Sequence, residues 1–442
     1  MTVAEIFCER EKTVLSPYAF LTSNTRGREK MSDICPNRTE FQRDRDRILH
    51  SKSFRRLMHK TQVFFLPQDE HFRTRMTHTL EVTQIARIIA RALKLNEDLC
   101  EASALGHDLG HTPFGHTGEK AMQLFYSPDF THYKQSIRVV EKLERDGAGL
   151  NLTYEVKDAI LNHSGDNVAE TLEGRIVNLA DRIAYINHDI DDAVRGGIIS
   201  IDDIPKRLLD VLGKGHSERI NNMVSSVILE STDKNYIGMT KEMGEATNEL
   251  RTYLFDNVYH NKIAKSEEDK AIEMLRILFE YFVKHPNEMP LLYQKNLENE
   301  SVERCVCDYV SSMTDRYAID LFRELYVPSM WRRHLWLYHL KLLMILNSET
   351  LLRMLYHHTL IWRGQVRIIT DCVRFIARRL LLLLFSRQHN HSIALVAEQE
   401  EMPLPLLWER RILTMFLRLE CLRRDVALPC QKNLIKFLAK RK

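Results

Sequence analysis

Tryptophan is absent from the first 330 residues of this 442-residue chain, and all four (Trp331, Trp336, Trp362 and Trp408) crowd into the remainder. Glycine shows the opposite bias, since only Gly364 of 16 lies beyond residue 332. No CxxC pair with a zinc-type partner occurs among the eight cysteines, whose closest spacing is Cys305-Val-Cys307, so a thiolate zinc site is excluded. No window approaches the ~18 uncharged apolar residues of a membrane helix. The most apolar run, Leu380 to Phe385, is six residues long and follows Arg378-Arg379. The opening MTVAEIFCEREKTVL places acidic residues where a signal peptide needs a basic region and an apolar stretch, which points to a reducing cytoplasm and no membrane association.

What is present is an ordinary globular composition, 44% hydrophobic and 28% charged. The net charge of +3 hides an asymmetry: residues 333–442 hold 19 Lys and Arg against 8 Asp and Glu, a net +11, leaving 44 against 52, a net −8, upstream. The tryptophan, glycine and charge shifts coincide, so a boundary is expected near 332. The basic tail, with clustered leucines, His357-His358 and His389 to His391, reads in one of two ways. It is a helical accessory module that binds nucleic acid weakly through charge, or an aberrant, poorly selected extension, which the abruptness of the shift favours.

Upstream of that boundary, period-3.6 apolar patterns dominate and strand-like alternation is rare. Met76, Leu80, Ile85, Ile88, Ile89 and Leu93 form one stripe of a helix running to about Leu95. Asn96 then reads as an N-cap, with Glu97 and Asp98 where the helix dipole favours negative charge, for a helix that stops near Gly106–Gly110. Further helices are expected over 134–147, 153–163, 171–194, 267–284 and 302–326. The fold class is therefore all-α, a helical bundle with a C-terminal helical extension.

Three of these helices carry metal-ligating side chains: His78 in the first, the His107-Asp108 pair ending the second, and Asp181 inside the long one near 171–194. Two imidazoles and two carboxylates converging inside a bundle suit one divalent cation and leave positions open for water and a phosphate oxygen. A histidine-aspartate dipeptide alone is weak, because a buried histidine is more often a hydrogen-bonded core residue. The stretch Gly106-His-Asp-Leu-Gly-His111-Thr-Pro-Phe-Gly-His116-Thr-Gly-Glu119 strengthens it, with three histidines, an aspartate and a glutamate among glycines that permit close backbone approach.

Together with Arg43-Asp-Arg-Asp-Arg47-Ile, Phe54-Arg-Arg-Leu57, His59-Lys-Thr-Gln-Val-Phe64, Arg75-Met-Thr-His78, Leu179-Ala-Asp-Arg-Ile-Ala-Tyr185 and Met313-Thr-Asp-Arg-Tyr317, this stretch resembles the deoxynucleoside triphosphate triphosphohydrolases, the dGTPase-like family of the HD-domain superfamily. The resemblance spans about residues 10–332 and ends where the basic tail begins. It implies an HD-domain bundle, hydrolysis of dNTP to deoxynucleoside and tripolyphosphate, and His78, His107, Asp108 and Asp181 as ligands of one cation, with Mn, Fe, Co, Ni, Zn or Mg all admissible. It implies His116 with Glu119 as a catalytic dyad and His132 as a second proton donor. Tyr133 and Lys134 depart from the family's usual asparagine and glutamate beside that histidine. It also implies a deoxyribose pocket of Gln62, Tyr185 and Asp189. Tyr185 and Asp189 follow Asp181 by four and eight residues, on one helical face. Arg75 and Arg182, adjacent to ligands, are the expected phosphate contacts. A homo-oligomer and a nucleotide activator complete what the family implies. The competing readings are another HD phosphohydrolase, such as a 5′-nucleotidase or cyclic-nucleotide phosphodiesterase, and a non-catalytic dNTP sensor.

Overall fold

Capping residues and apolar spacing agree along most of this chain, and helix is the result. The computed structural model describes residues 1–62, 72–165, 167–259 and 267–328. Among them are sixteen α-helices and no sheet, only two isolated bridges, Arg28 with Thr153 and Thr61 with Thr74. None of the helices among the described residues is long and apolar enough to cross a membrane. The chain divides into two compact units, Met1–Met330 and Trp331–Lys442; the second, with the expected tail and C-terminal extension, lies outside the described residues.

The Arg75–Ala92 helix starts where the Thr74 hydroxyl accepts from the Thr77 amide. Its inward face carries His78, Val82, Ile85, Ala86 and Ile89, whereas Leu80 and Ile88 stand 49% and 45% exposed. The expected apolar stripe is thus rotated, because small alanines and His78 share the buried face. Asn96 caps Glu97–Gly106 as expected, its side chain accepting from the Leu99 amide. Thr171 caps the long Leu172–Arg195 helix, and Tyr154–Leu161 and Glu268–Lys284 fall where expected.

Two expected helices are broken. Over 134–147 the chain forms His132–Arg138, then a π turn Val139–Leu143 and a 3-10 turn Arg145–Gly147 in which Asp146 adopts φ 55°. Over 302–326 it forms Val302–Ser312 and Asp315–Tyr326, because Thr314 leaves helical geometry to cap the second helix. That break frees Asp315 to accept from the amides of Thr61 (2.8 Å) and Phe114 (2.9 Å), tying this region to both segments flanking the site.

Two apolar clusters hold the described unit. One gathers Leu99, Leu105, Leu109, Met122, Ile160, Leu275, Phe279 and Val306; the other gathers Val82, Ile85, Ile89, Ile176, Ile183, Met223 and Leu250. Each such side chain contributes roughly 1.5–3 kcal/mol on burial. The Glu97–Gly106 helix feeds both, through Leu99, Ala102 and Leu105 on one side and Cys100 and Ala104 on the other. Its C-terminal end, where His107 and Asp108 stand, is therefore fixed at the seam between the clusters.

Candidate metal centre

His107 is the C-cap of its helix, and its ring is oriented by an Nδ1–H that donates to the Ala104 carbonyl at 2.7 Å. That bond fixes the tautomer and leaves the Nε2 lone pair bare. Nε2 is buried without any hydrogen-bond partner among the described residues, 3.4 Å from Asp108 Oδ1 and 4.0 Å from Asp181 Oδ1. His78 brings its Nε2 to 3.0 Å from Asp181 Oδ1 and 3.9 Å from Asp108 Oδ2. The four expected ligands thus converge from three helices. Burial pushes both carboxyls up, but the surrounding His107, His111 and Arg75 pull Asp108 well below the usual carboxylate range, and His78 does the same for Asp181. Leaving a buried ring nitrogen unpartnered costs about 1–3 kcal/mol. A lone pair held bare beside two ionised carboxylates is the donor set a divalent cation needs, so these residues fit one.

Behind His78 its Nδ1 pairs with His188 Nε2 at 2.8 Å, a contact in which either ring can be the donor. His188 Nδ1 stands 2.9 Å from Asp189 Oδ1 without the geometry of a hydrogen bond, and the other oxygen of Asp189 accepts from the Tyr259 hydroxyl. Such an outer shell orients a ligand and tunes its basicity.

Next to this centre, Glu119 holds two histidines at once. Its Oε2 is 3.2 Å from His116 Nδ1, while Oε1 accepts from the His132 amide at 2.8 Å and lies 3.1 Å from His132 Nδ1. Burial pushes the Glu119 carboxyl up, but the two histidines hold it far below its usual range. The His116 side chain is 74% exposed and His132 is buried. His111 stacks on His132 with centroids 4.2 Å apart and reaches Asp108 Oδ1 at 3.3 Å. Behind His132 stands His163, which donates from Nδ1 to the Ile160 carbonyl at 2.7 Å and faces His132 Nε2 with its own Nε2 at 3.3 Å. Burial and His107 push His163 down to about 3, so it stays neutral. Burial opposes a proton on His132, but Glu119 outweighs it and raises His132 above its ordinary value. A proton between the two Nε2 atoms relieves the repulsion of facing lone pairs.

Backbone packing positions this loop. An added Cβ at Gly110 would stand 2.1 Å from the Ser136 amide and 2.6 Å from the His132 carbonyl oxygen, so only glycine allows the contact. Ser136 Oγ accepts from the Gly110 amide and donates to the His107 carbonyl, both at 2.8 Å.

The HD domain model matches residues 75–186, a span holding all four expected ligands, and the phosphohydrolase-associated domain model matches 237–324. A deoxyguanosinetriphosphate triphosphohydrolase-like protein of Caldanaerobacter subterraneus subsp. tengcongensis is 54% identical over 331 residues, covering 75% of this chain and 98% of that relative. Proteins of the same description from Desulfatibacillum aliphaticivorans and Clostridium perfringens are 45% and 46% identical, each over 74% of this chain and 99% and 98% of the relative. The chain belongs to the deoxyguanosinetriphosphate triphosphohydrolase-like family of HD-domain proteins. It is accordingly a phosphohydrolase.

In this dGTPase-like chain the remaining expected residues fall into two groups. Tyr185 is half-buried near Asp181, and burial pushes its phenol up to about 12. Arg182 is half-buried on the same helix, and Gln62 Oε1 is buried without a hydrogen-bond partner among the described residues. Arg75 and Asp189, by contrast, are engaged within the protein. The Arg75 guanidinium donates to Asp108 at 2.8 Å, which makes it a clamp on an expected ligand, and Asp189 accepts from Tyr259. Sequence reasoning missed His163, His188 and Tyr259 and gave His111 no role. Only His111 carried a signal, its place in the histidine-rich stretch; the others are brought in by packing of distant helices.

Proposed function

We propose that this phosphohydrolase cleaves deoxynucleoside triphosphates to deoxynucleoside and tripolyphosphate. The observation that carries the reading is the bare, buried His107 Nε2 facing Asp108 and Asp181, with the Glu119 histidines alongside. The relatives, deoxyguanosinetriphosphate triphosphohydrolase-like proteins, support the same substrate class. His78, His107, Asp108 and Asp181 would hold one divalent cation, which supplies neutralisation of phosphate charge and a bound water of lowered pKa. A set of two histidines and two carboxylates suits Mn²⁺, Fe²⁺, Co²⁺, Ni²⁺ or Zn²⁺ better than Mg²⁺.

In the proposed reaction water adds at the α-phosphorus, the bond to the 5′ oxygen breaks, and that oxygen takes a proton. His116 is placed to deliver it: it is exposed, and Glu119 fixes its Nδ1 and leaves Nε2 for the substrate. His132 shares Glu119 and rests as a proton store behind it. Arg182 contributes positive charge for the phosphates, and Gln62, Tyr185 and Asp189 line the sugar, with Asp189 held by the Tyr259 hydroxyl.

Incubating the purified protein with each dNTP and a panel of divalent cations tests this directly. Equimolar tripolyphosphate and deoxynucleoside are expected. Orthophosphate, a nucleoside monophosphate or no turnover of any dNTP removes the reading, and with it the distinction from a 5′-nucleotidase or a sensor. Tyr185→Ala is expected to raise GTP turnover relative to dGTP by about 10-fold or more, since excluding one small group is worth roughly 1–3 kcal/mol. Unchanged discrimination takes Tyr185 out of the sugar pocket.

A further inference from the structure

His111 belongs neither to the four-ligand centre nor to the proton donors. It is 2% exposed, and its Nδ1 is buried without a hydrogen-bond partner among the described residues. Such a nitrogen carries an uncompensated desolvation cost until something binds it. Its neighbours supply the rest of a donor set. One ring nitrogen from each of His111, His116 and His132 lies within 4.8 Å of the other two. Glu119 Oε2 stands 3.2 Å from Nδ1 of both His116 and His132. Those separations are longer than the about 2.7–2.9 Å of a charge-assisted N–H···O bond. They match the roughly 3.3 Å edge of a tetrahedron built on zinc bonds of about 2.0–2.1 Å. The donors are also held in place before any ion arrives. His116 lies in the first turn of the Gly115–Phe125 helix, His132 opens His132–Arg138, and the close approach of Gly110 to the His132 carbonyl fixes the loop that carries His111. The His116 side chain, 74% exposed, gives an ion a way in.

We propose that His111, His116 and His132, with Glu119, form a second cation site, distinct from the four-ligand centre, for a zinc-class ion that switches the enzyme off. Three imidazoles and one carboxylate suit Zn²⁺ and bind Mn²⁺ or Mg²⁺ poorly. With one carboxylate in place of two and one exposed ligand, this site is the weaker and fills second. An ion held there engages the His116 ring, which then delivers no proton to the departing oxygen. That consequence rests on the dNTP reading; the binding of the ion does not.

The test titrates Zn²⁺ into the metal-free full chain by calorimetry, with Mn²⁺ as a parallel probe of the four-ligand centre. Two equivalents of Zn²⁺ and one of Mn²⁺ are expected. His111→Ala and His116→Ala are each expected to weaken the second Zn²⁺ at least tenfold and to keep the Mn²⁺ equivalent, whereas His107→Ala loses Mn²⁺ and keeps the weaker Zn²⁺. Because His116 is exposed, its variant decides the matter if His111→Ala does not fold. A single equivalent of Zn²⁺ in wild type, or a second one indifferent to His116→Ala, overturns the site. Turnover of dNTP is expected to fall at least tenfold as the second equivalent fills, and turnover unchanged by it overturns the inhibitory role. Two equivalents with these variant responses but no dNTP turnover leave the site standing and remove the dNTP reading, so the two failures are told apart.

Discussion

His107→Ala and Asp108→Ala are each expected to abolish tight cation binding and to lower turnover by about 10³-fold or more, roughly 4 kcal/mol of transition-state stabilisation. The physical reason differs between them. His107 contributes a buried ring nitrogen that has no hydrogen-bond partner among the described residues, and its other nitrogen is already held by the Ala104 carbonyl. Removing it takes away a ligand and one hydrogen bond. Asp108, in contrast, is the shared anion of Arg75, His107 and His111. Its loss leaves a buried guanidinium without its carboxylate, so this variant is also expected to lose several kcal/mol of stability even without metal. Thermal unfolding with and without cation separates the two effects. At a cation concentration about 100 times Kd, wild type gains about 2.7 kcal/mol from binding alone, and neither variant should show that gain. A cation-dependent rise in unfolding temperature that survives in His107→Ala would contradict its place among the ligands.

Glu119→Gln is expected to cost more than His116→Ala, with cation binding intact in both. A general acid is worth about 10²–10⁴-fold, and His116→Ala removes one. Glu119 orients His116 and His132 together and raises the proton affinity of His132. An amide keeps its shape but loses the charge that supports an imidazolium, so both histidines are affected by one change. Measured as kcat with cation stoichiometry determined in parallel, a Glu119→Gln loss no larger than that of His116→Ala would show that His132 takes no part.

Residue spacing made the helical elements legible because each depends on local information, and the four expected ligands were named from their chemistry and the resemblance rather than from spacing. Caps such as Asn96 and Thr171 act within one turn, whereas the His-Asp pair gained weight only from the histidine- and glycine-rich stretch that follows it. The failures share a cause. Leu80 and Ile88 face outward because the inward face of their helix had to admit His78 and the Leu172–Arg195 helix, a tertiary demand with no local trace. The split at Met313 and Thr314 follows from what Asp315 bonds to far along the chain. His163 and His188 approach the site from 31 residues beyond His132 and 110 beyond His78, so no motif window contains both partners. Arg75 and Asp189 were expected at the site from the resemblance, but their engagement with Asp108 and with Tyr259 becomes visible only when those partners are in place.

The most direct test of the proposed chemistry is turnover of a dNTP in ¹⁸O-labelled water with the products separated by mass. Attack at the α-phosphorus predicts one ¹⁸O in tripolyphosphate and none in the deoxynucleoside. Label in the deoxynucleoside, or in orthophosphate or pyrophosphate in place of tripolyphosphate, would contradict it.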